Sequence, residues 1–237
     1  MTMGEKAMRK TGLLAILITA TPLSAQSTPP ESQEITVLGM GDHGYKLTAE
    51  QLRNAVQAFE QNRASLAPAA QLVWQITPQA SASGIALALR GQDESLPIPI
   101  APDGTFTLPH DKVLSGQWRL VSTASKSAIH IRPRAQSPGS TLEQFRFGDA
   151  QLTCRVAIGF VWTETNFLMR GVFKAAGGCT SPKLGIYFSS EKPIASIAID
   201  HWDKQTTIAK TGKAWRVPLY DKTISNEDLV HITYRQP

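Results

Sequence analysis

The chain of 237 residues carries 24 Lys and Arg against 19 Asp and Glu, a formal charge of +5, and has two cysteines. Beyond residue 25 the charges alternate in sign and the densest basic cluster is only Arg132 and Arg134, which argues against a nucleic-acid-binding protein. The length allows two small domains.

Lys6, Arg9 and Lys10, an apolar segment from Gly12 to Ala20, and the small residues Ser24 and Ala25 have the layout of a secretory signal peptide spanning residues 1–25. The apolar segment is far shorter than the roughly 20 residues that cross a bilayer. The processed protein is therefore expected to be periplasmic or secreted and not membrane-spanning. Without residues 1–25, which hold those three cations and Glu5, 21 Lys and Arg face 18 Asp and Glu. In an oxidising compartment Cys154 and Cys179 are expected to form one disulfide. With no C-x-x-C pair and no nearby H-x-x-x-H, a metal site is not expected.

Residues 26–46 read as a flexible N-terminal arm. Within it Gly39, Gly41 and Gly44 show the spacing G-x-G-x-x-G after an apolar run, but a dinucleotide loop needs a helix that begins inside the motif. Here the helix starts later, at Thr48, where Gln51 completes a capping box and Leu47 and Leu52 are placed as a hydrophobic staple. Leu52, Ala55, Val56 and Phe59 then form an apolar stripe to about Arg63, opposite Gln51, Arg53, Asn54 and Gln61.

From Leu72 onward the pattern has period two. Leu72, Trp74 and Ile76 predict a strand, as do Ile85, Leu87 and Leu89. Leu96, Ile98 and Ile100 predict another, in which Pro97 and Pro99 suit an edge position. A turn at 102–104 leads into Thr105, Phe106, Thr107 and Leu108, a hairpin signal. Further strands are expected around Trp118–Ser122 and Ala128–Arg132, and the Pro-, Ser- and Gly-rich stretch 132–141 reads as a linker.

Beyond it, Leu152, Cys154, Val156, Ile158, Phe160 and Trp162 alternate as one strand, with Phe167, Met169 and Phe173 as its hairpin partner. Strands at Leu184/Ile186/Phe188, Ile197/Ile199, Trp215/Val217/Leu219 and Val230/Ile232/Tyr234 follow. The expected fold is mainly β: one amphipathic helix followed by two small antiparallel β-sandwich-like domains, residues 47–135 (with the helix) and 136–237 (with the disulfide).

Residues 95–109, with LPIPIAP followed by DGTFTLP, resemble the hairpin of carboxypeptidase-regulatory-like and transthyretin-like β-sandwiches. That resemblance implies a non-catalytic accessory domain. EITVLG, residues 34–39, is similar to the TonB box of outer-membrane transporters, which pairs edge to edge with a periplasmic β-domain. It implies that Ile35, Thr36 and Val37 form a partner-binding arm in a bacterial envelope. The chain is too short and too polar in its strands to be a plugged 22-strand barrel of that family.

No catalytic, cofactor-binding or metal residues are assigned. There is no G-x-S-x-G elbow, and His43, His110, His130, His201 and His231 are scattered singly. Asp200, His201, Trp202 and Asp203, at the end of an apolar strand, are a candidate ligand edge with Trp202 as a stacking platform, against the alternative of a polar turn. Trp74, Trp118, Trp162 and Trp215 are expected in the core. The functional expectation is an exported, non-enzymatic binding or accessory protein whose partner is an envelope protein or glycan. The alternatives are a periplasmic hydrolase and a TonB-system-associated protein. Oligomeric state is left open.

Overall fold

The computed structural model describes residues 44–78, 82–183, 187–201, 204–209 and 212–235. The signal-peptide reading, Gly39 and Gly41, the arm residues Ile35, Thr36 and Val37, Leu184 and Ile186, and Trp202 and Asp203 lie outside them. The described residues belong to one compact unit.

The first described strand, β1 (Gly44–Leu47), begins inside the stretch expected to be a flexible arm, and Tyr45 and Leu47 are buried. Gly44 sits against a neighbouring strand so closely that a Cβ there would lie 2.1 Å from the Ser122 carbonyl oxygen. That approach accounts for one glycine of the spaced triplet without a phosphate. Thr48 then caps α1 (Ala49–Leu66) as expected. Its Oγ1 accepts from the Gln51 amide at 3.2 Å, and Gln51 Oε1 accepts from the Thr48 amide at 2.9 Å. This backward fold buries Gln51, which the apolar stripe alone places on the solvent face.

Two antiparallel sheets share the first apolar core. β2 (Gln71–Thr77), β3 (Leu87–Arg90), β4 (Ser95–Ile98) and β5 (Thr105–Phe106) fall where the alternation puts them. A short α2 (His110–Ser115), not foreseen from the pattern, precedes β6 (Arg119–Ser125) and β7 (His130–Gln136). One sheet has the order β1-β6-β3-β4, with the proline-bearing β4 at an edge; the other is β5-β2-β7. The turn before Thr105 forms, with the Gly104 amide donating to the Ala101 carbonyl at 2.8 Å. The strands on either side of it do not pair with each other: β4 pairs with β3 and β5 with β2. β7 runs through the first half of the expected linker. Pro133 is tolerated because β7 is an edge strand, and Ile131, Pro133 and Ala135 alternate inward. The rest of that stretch is also held, since buried Asp149 accepts from the Ser137 amide and hydroxyl and from the Ser140 hydroxyl.

The largest correction concerns residues 147–175. After β8 (Gln144–Arg146) the expected strand is a helix, α3 (Phe147–Val161), and its expected hairpin partner is a second helix, α4 (Phe167–Ala175). The cause is geometric. On α3, Leu152, Val156 and Phe160 recur every four residues and enter the first core. Ala150, Cys154 and Ile158 recur every four residues, offset by two, and pack in a second core. An offset of two residues turns a helix by about 200°, so a helix buried on two opposite faces shows the apolar residue at every second position that marks a strand. α3, which follows the boundary expected between residues 135 and 136, contributes residues to both cores. Its approach to α1 is close: a Cβ at Gly148 would lie 2.1 Å from the Leu66 carbonyl oxygen, and one at Gly159 2.8 Å from that of Asn54.

The second core is completed by β9 (Tyr187–Ser189), β10 (Ile194–His201), β11 (Lys204–Ala209), β12 (Ala214–Arg216) and β13 (Leu229–Tyr234). They form antiparallel sheets of order β11-β10-β13-β8 and β12-β9, against which Trp215, Val217 and Leu219 are buried. Among the described residues the fold is mainly β with substantial helix, 34% strand against 31% helix, so the single helix expected from the sequence understates the helical part.

Candidate functional site

The sequence points to the β10 end as a site, and strand register decides what it can do. Successive side chains of a strand face opposite ways. Ile197 and Ile199 are in the core, so His201 closes the inner face and Asp200 belongs to the outer one. The two neighbours are thus not brought together; each has its own partner. Asp200 lies opposite Gln205 of β11, whose Nε2 donates to Asp200 Oδ1 at 2.7 Å, and its Oδ2 lies 2.8 Å from His231 Nε2 of β13. His201 Nδ1 lies 2.5 Å from Oδ2 of Asp228, a buried carboxylate that also accepts from the Ser225 amide at 2.8 Å. The Thr223 hydroxyl and amide hold the nearby Asp221 carboxyl below the usual carboxylate range, and the His201 ring adds to this.

Chemically, a buried carboxylate beside an imidazole fixes the orientation of the ring. Neither Asp228 nor His231 is singled out as a partner by the sequence. Both pairings require the β10–β13 register, which the alternation of either strand alone does not contain. Among the described residues no group of three or more His, Cys, Asp or Glu side chains is placed to hold a metal ion.

A second surface escapes the sequence pattern entirely. Cys154 on α3 is bonded to Cys179, in a single helical turn (Gly178–Thr180) just after α4, with the Cα atoms 6.1 Å apart. α4 therefore lies within a covalent loop that begins on α3 and closes immediately beyond its own C-terminus. Asn166 caps it, its Oδ1 accepting from the Met169 amide at 2.9 Å. Its inward contacts are few. Phe173 meets the Trp162 ring edge-on with centroids 6.0 Å apart, and Arg170 lies over the same ring while its Nε donates to the Thr165 carbonyl. Trp162, expected in the core, is only half-buried; it lines a shallow groove with Asn54, Gln57, Gln61 and Gly159. The other three core tryptophans, Trp74, Trp118 and Trp215, are buried as expected.

The outward side of α4 is apolar. Phe167 is 89% exposed and Leu168 73%, Met169 and Val172 are more than half exposed, and no residue of the helix is buried. Single exposed apolar residues are ordinary; four within six positions on one short helix make α4 a candidate interaction surface. No family model, curated protein or solved structure matches this chain. The basic cluster offers no third surface: Arg134 donates to the Thr141 carbonyl and lies over the Phe145 ring, and Arg132 donates to Ser189 Oγ at 3.2 Å. Burial pulls the Arg134 guanidinium below its ordinary pKa, while Asp149, Tyr234, Glu143 and Asp103 act the other way.

Proposed function

We propose that this protein is an exported, non-enzymatic binding or accessory module of a bacterial envelope, and that α4 is the surface it presents. One observation carries the reading: the helix is fixed by a cap and a disulfide while its apolar face stays outside both cores. Water contact with that face is unfavourable, at about 25 cal/mol per Å² of apolar surface, so a partner that covers it gains that amount. The disulfide suits the oxidising compartment to which the leader-like residues 1–25 point.

The test is capture of envelope material by the wild-type chain and by Leu168→Glu/Val172→Glu. Recovery that depends on the two apolar residues is expected; equal recovery would remove α4 as the presenting surface. The similarity of residues 34–39 to a TonB box adds a second contact to examine, through loss of binding to a TonB-type periplasmic domain when Ile35 and Val37 are replaced.

A periplasmic hydrolase is the second reading, favoured by the His201–Asp228 pair. In it Asp228 orients His201, which acts as general base on a water molecule. Hydrolysis of model esters and glycosides that disappears in His201→Ala and Asp228→Asn, with melting unchanged, would support this reading over the first.

A further inference from the structure

We infer that the occupant of the α4 face is an anionic lipid surface, on which the protein docks peripherally through Phe167, Leu168, Met169 and Val172. The inference rests on the reading of α4 as the presenting surface and adds the chemistry of its partner.

Two observations select lipid over protein. The first is size. A helix of nine residues is only about 13 Å long at the standard rise. Its four exposed apolar residues alone fall short of the roughly 800 Å² per partner of a stable protein interface. A bilayer imposes no such threshold, because an amphipathic helix lying in the headgroup region buries its apolar side chains one by one. Phe, Leu, Met and Val clustered at outward positions are the side chains that do this.

The second is charge. Between residues 150 and 190 the chain carries Arg155, Arg170, Lys174 and Lys183, with Glu164 as the single acid. Arg170 is turned inward over the Trp162 ring, Lys174 is on the side of the helix opposite Leu168 and Val172, Lys183 follows the disulfide turn, and the Arg155 guanidinium lies 3.9 Å from where a Cβ on Gly178 would be. Arg155, Lys174 and Lys183 are exposed. A local positive field around an apolar patch complements a bilayer rich in anionic headgroups. Docking of this kind needs no spanning segment, and no helix of the described residues is long and apolar enough to cross a membrane.

The geometry of the anchor fits the same use. The disulfide closes directly behind Ala175 and Asn166 caps the other end, so the helix is presented already formed. Binding then does not have to order a nine-residue segment, whose folding on the membrane would oppose adsorption.

The test uses the full oxidised chain with vesicles of phosphatidylcholine alone and of equimolar phosphatidylcholine and phosphatidylglycerol. Cosedimentation gives affinity, and hydrogen exchange of the peptide covering residues 166–176 gives location. Binding to the anionic vesicles should slow exchange in that peptide and weaken with salt. Leu168→Glu/Val172→Glu should lose at least about tenfold in affinity, and Lys174→Glu about tenfold on anionic vesicles only. Both replace exposed side chains, and an unchanged melting temperature verifies that each variant is folded. Vesicle binding that leaves 166–176 unprotected, or that both variants retain, would overturn the proposal. So would an absence of vesicle binding. If envelope capture still depended on Leu168 and Val172 in that case, the partner would be a protein and the presenting role of α4 would stand; if it did not, both readings would fall.

Discussion

α3 and α4 are consecutive helices, both rich in large apolar residues, and they meet opposite fates. α3 is apolar because it has two interiors to fill: Leu152, Val156 and Phe160 on one side, Phe147, Ala150 and Cys154 on the other. α4 has no buried residue at all. Apolar composition thus records that a surface will be covered, and only the fold tells whether the chain itself covers it. Where it does, substitution should act on stability; where it does not, on association.

The comparison can be broken most forcefully on α3. Val156→Asp places an unpaired carboxylate in the first core and should destabilise the protein by more than about 4 kcal/mol, enough to abolish a cooperative melt. A stable variant would mean that α3 is not the shared wall of the two cores.

Next comes the link between the helices. Neither cysteine should react with a thiol reagent until a reductant is added. Cys154→Ser/Cys179→Ser should cost about 3 kcal/mol for a loop of 25 residues, measured by denaturant unfolding. Hydrogen exchange in α4 should speed up more than in α3, because α4 depends on that bond for its placement. Equal acceleration in both would argue that α4 is held by contacts other than the disulfide.

The approach of α3 to α1 is a smaller lever. Gly159→Ala puts a methyl 2.8 Å from the Asn54 carbonyl oxygen and 2.9 Å from the Ala58 Cβ, so a helix must shift. A loss of about 1–3 kcal/mol in unfolding free energy is expected. Smallest of all, Leu168→Ala and Val172→Ala should change stability by no more than about 0.5 kcal/mol, as exposed positions do.

Part of the fold is legible in the amino-acid sequence alone. The capping box at Thr48 is a local signal, carried by Thr48 and Gln51. The strand at 194–201 buries one face more than the other, so its alternation reads directly, whereas those at 71–77 and 87–90 are buried on both faces and read because Gln75 and Ala88 interrupt the large apolar residues. α3 reads as a strand for a physical reason: two four-residue stripes offset by two positions are indistinguishable from a strand when only polarity is counted. α4 follows it into error, because Phe167, Met169 and Phe173 look like the partner of a strand that does not exist. The candidate edge shows a different limit. That Asp200 and His201 face apart follows from the period-two rule already in the sequence, whereas their pairing with His231 and Asp228 depends on the β10–β13 register. The pairing of β4 and β5 with different strands is likewise long-range information, invisible in a well-formed turn.

The claim on which the account turns is that the apolar face of α4 is covered by a partner and not by the protein's own chain. Leu168→Glu/Val172→Glu tests it when thermal melting and recovery of envelope material are measured on the same preparation. The account predicts a melting temperature within about 2 °C of the wild type, as befits exposed positions, together with loss of the captured material. A melting temperature lowered as far as by a core substitution, or capture equal to that of the wild type, would contradict it.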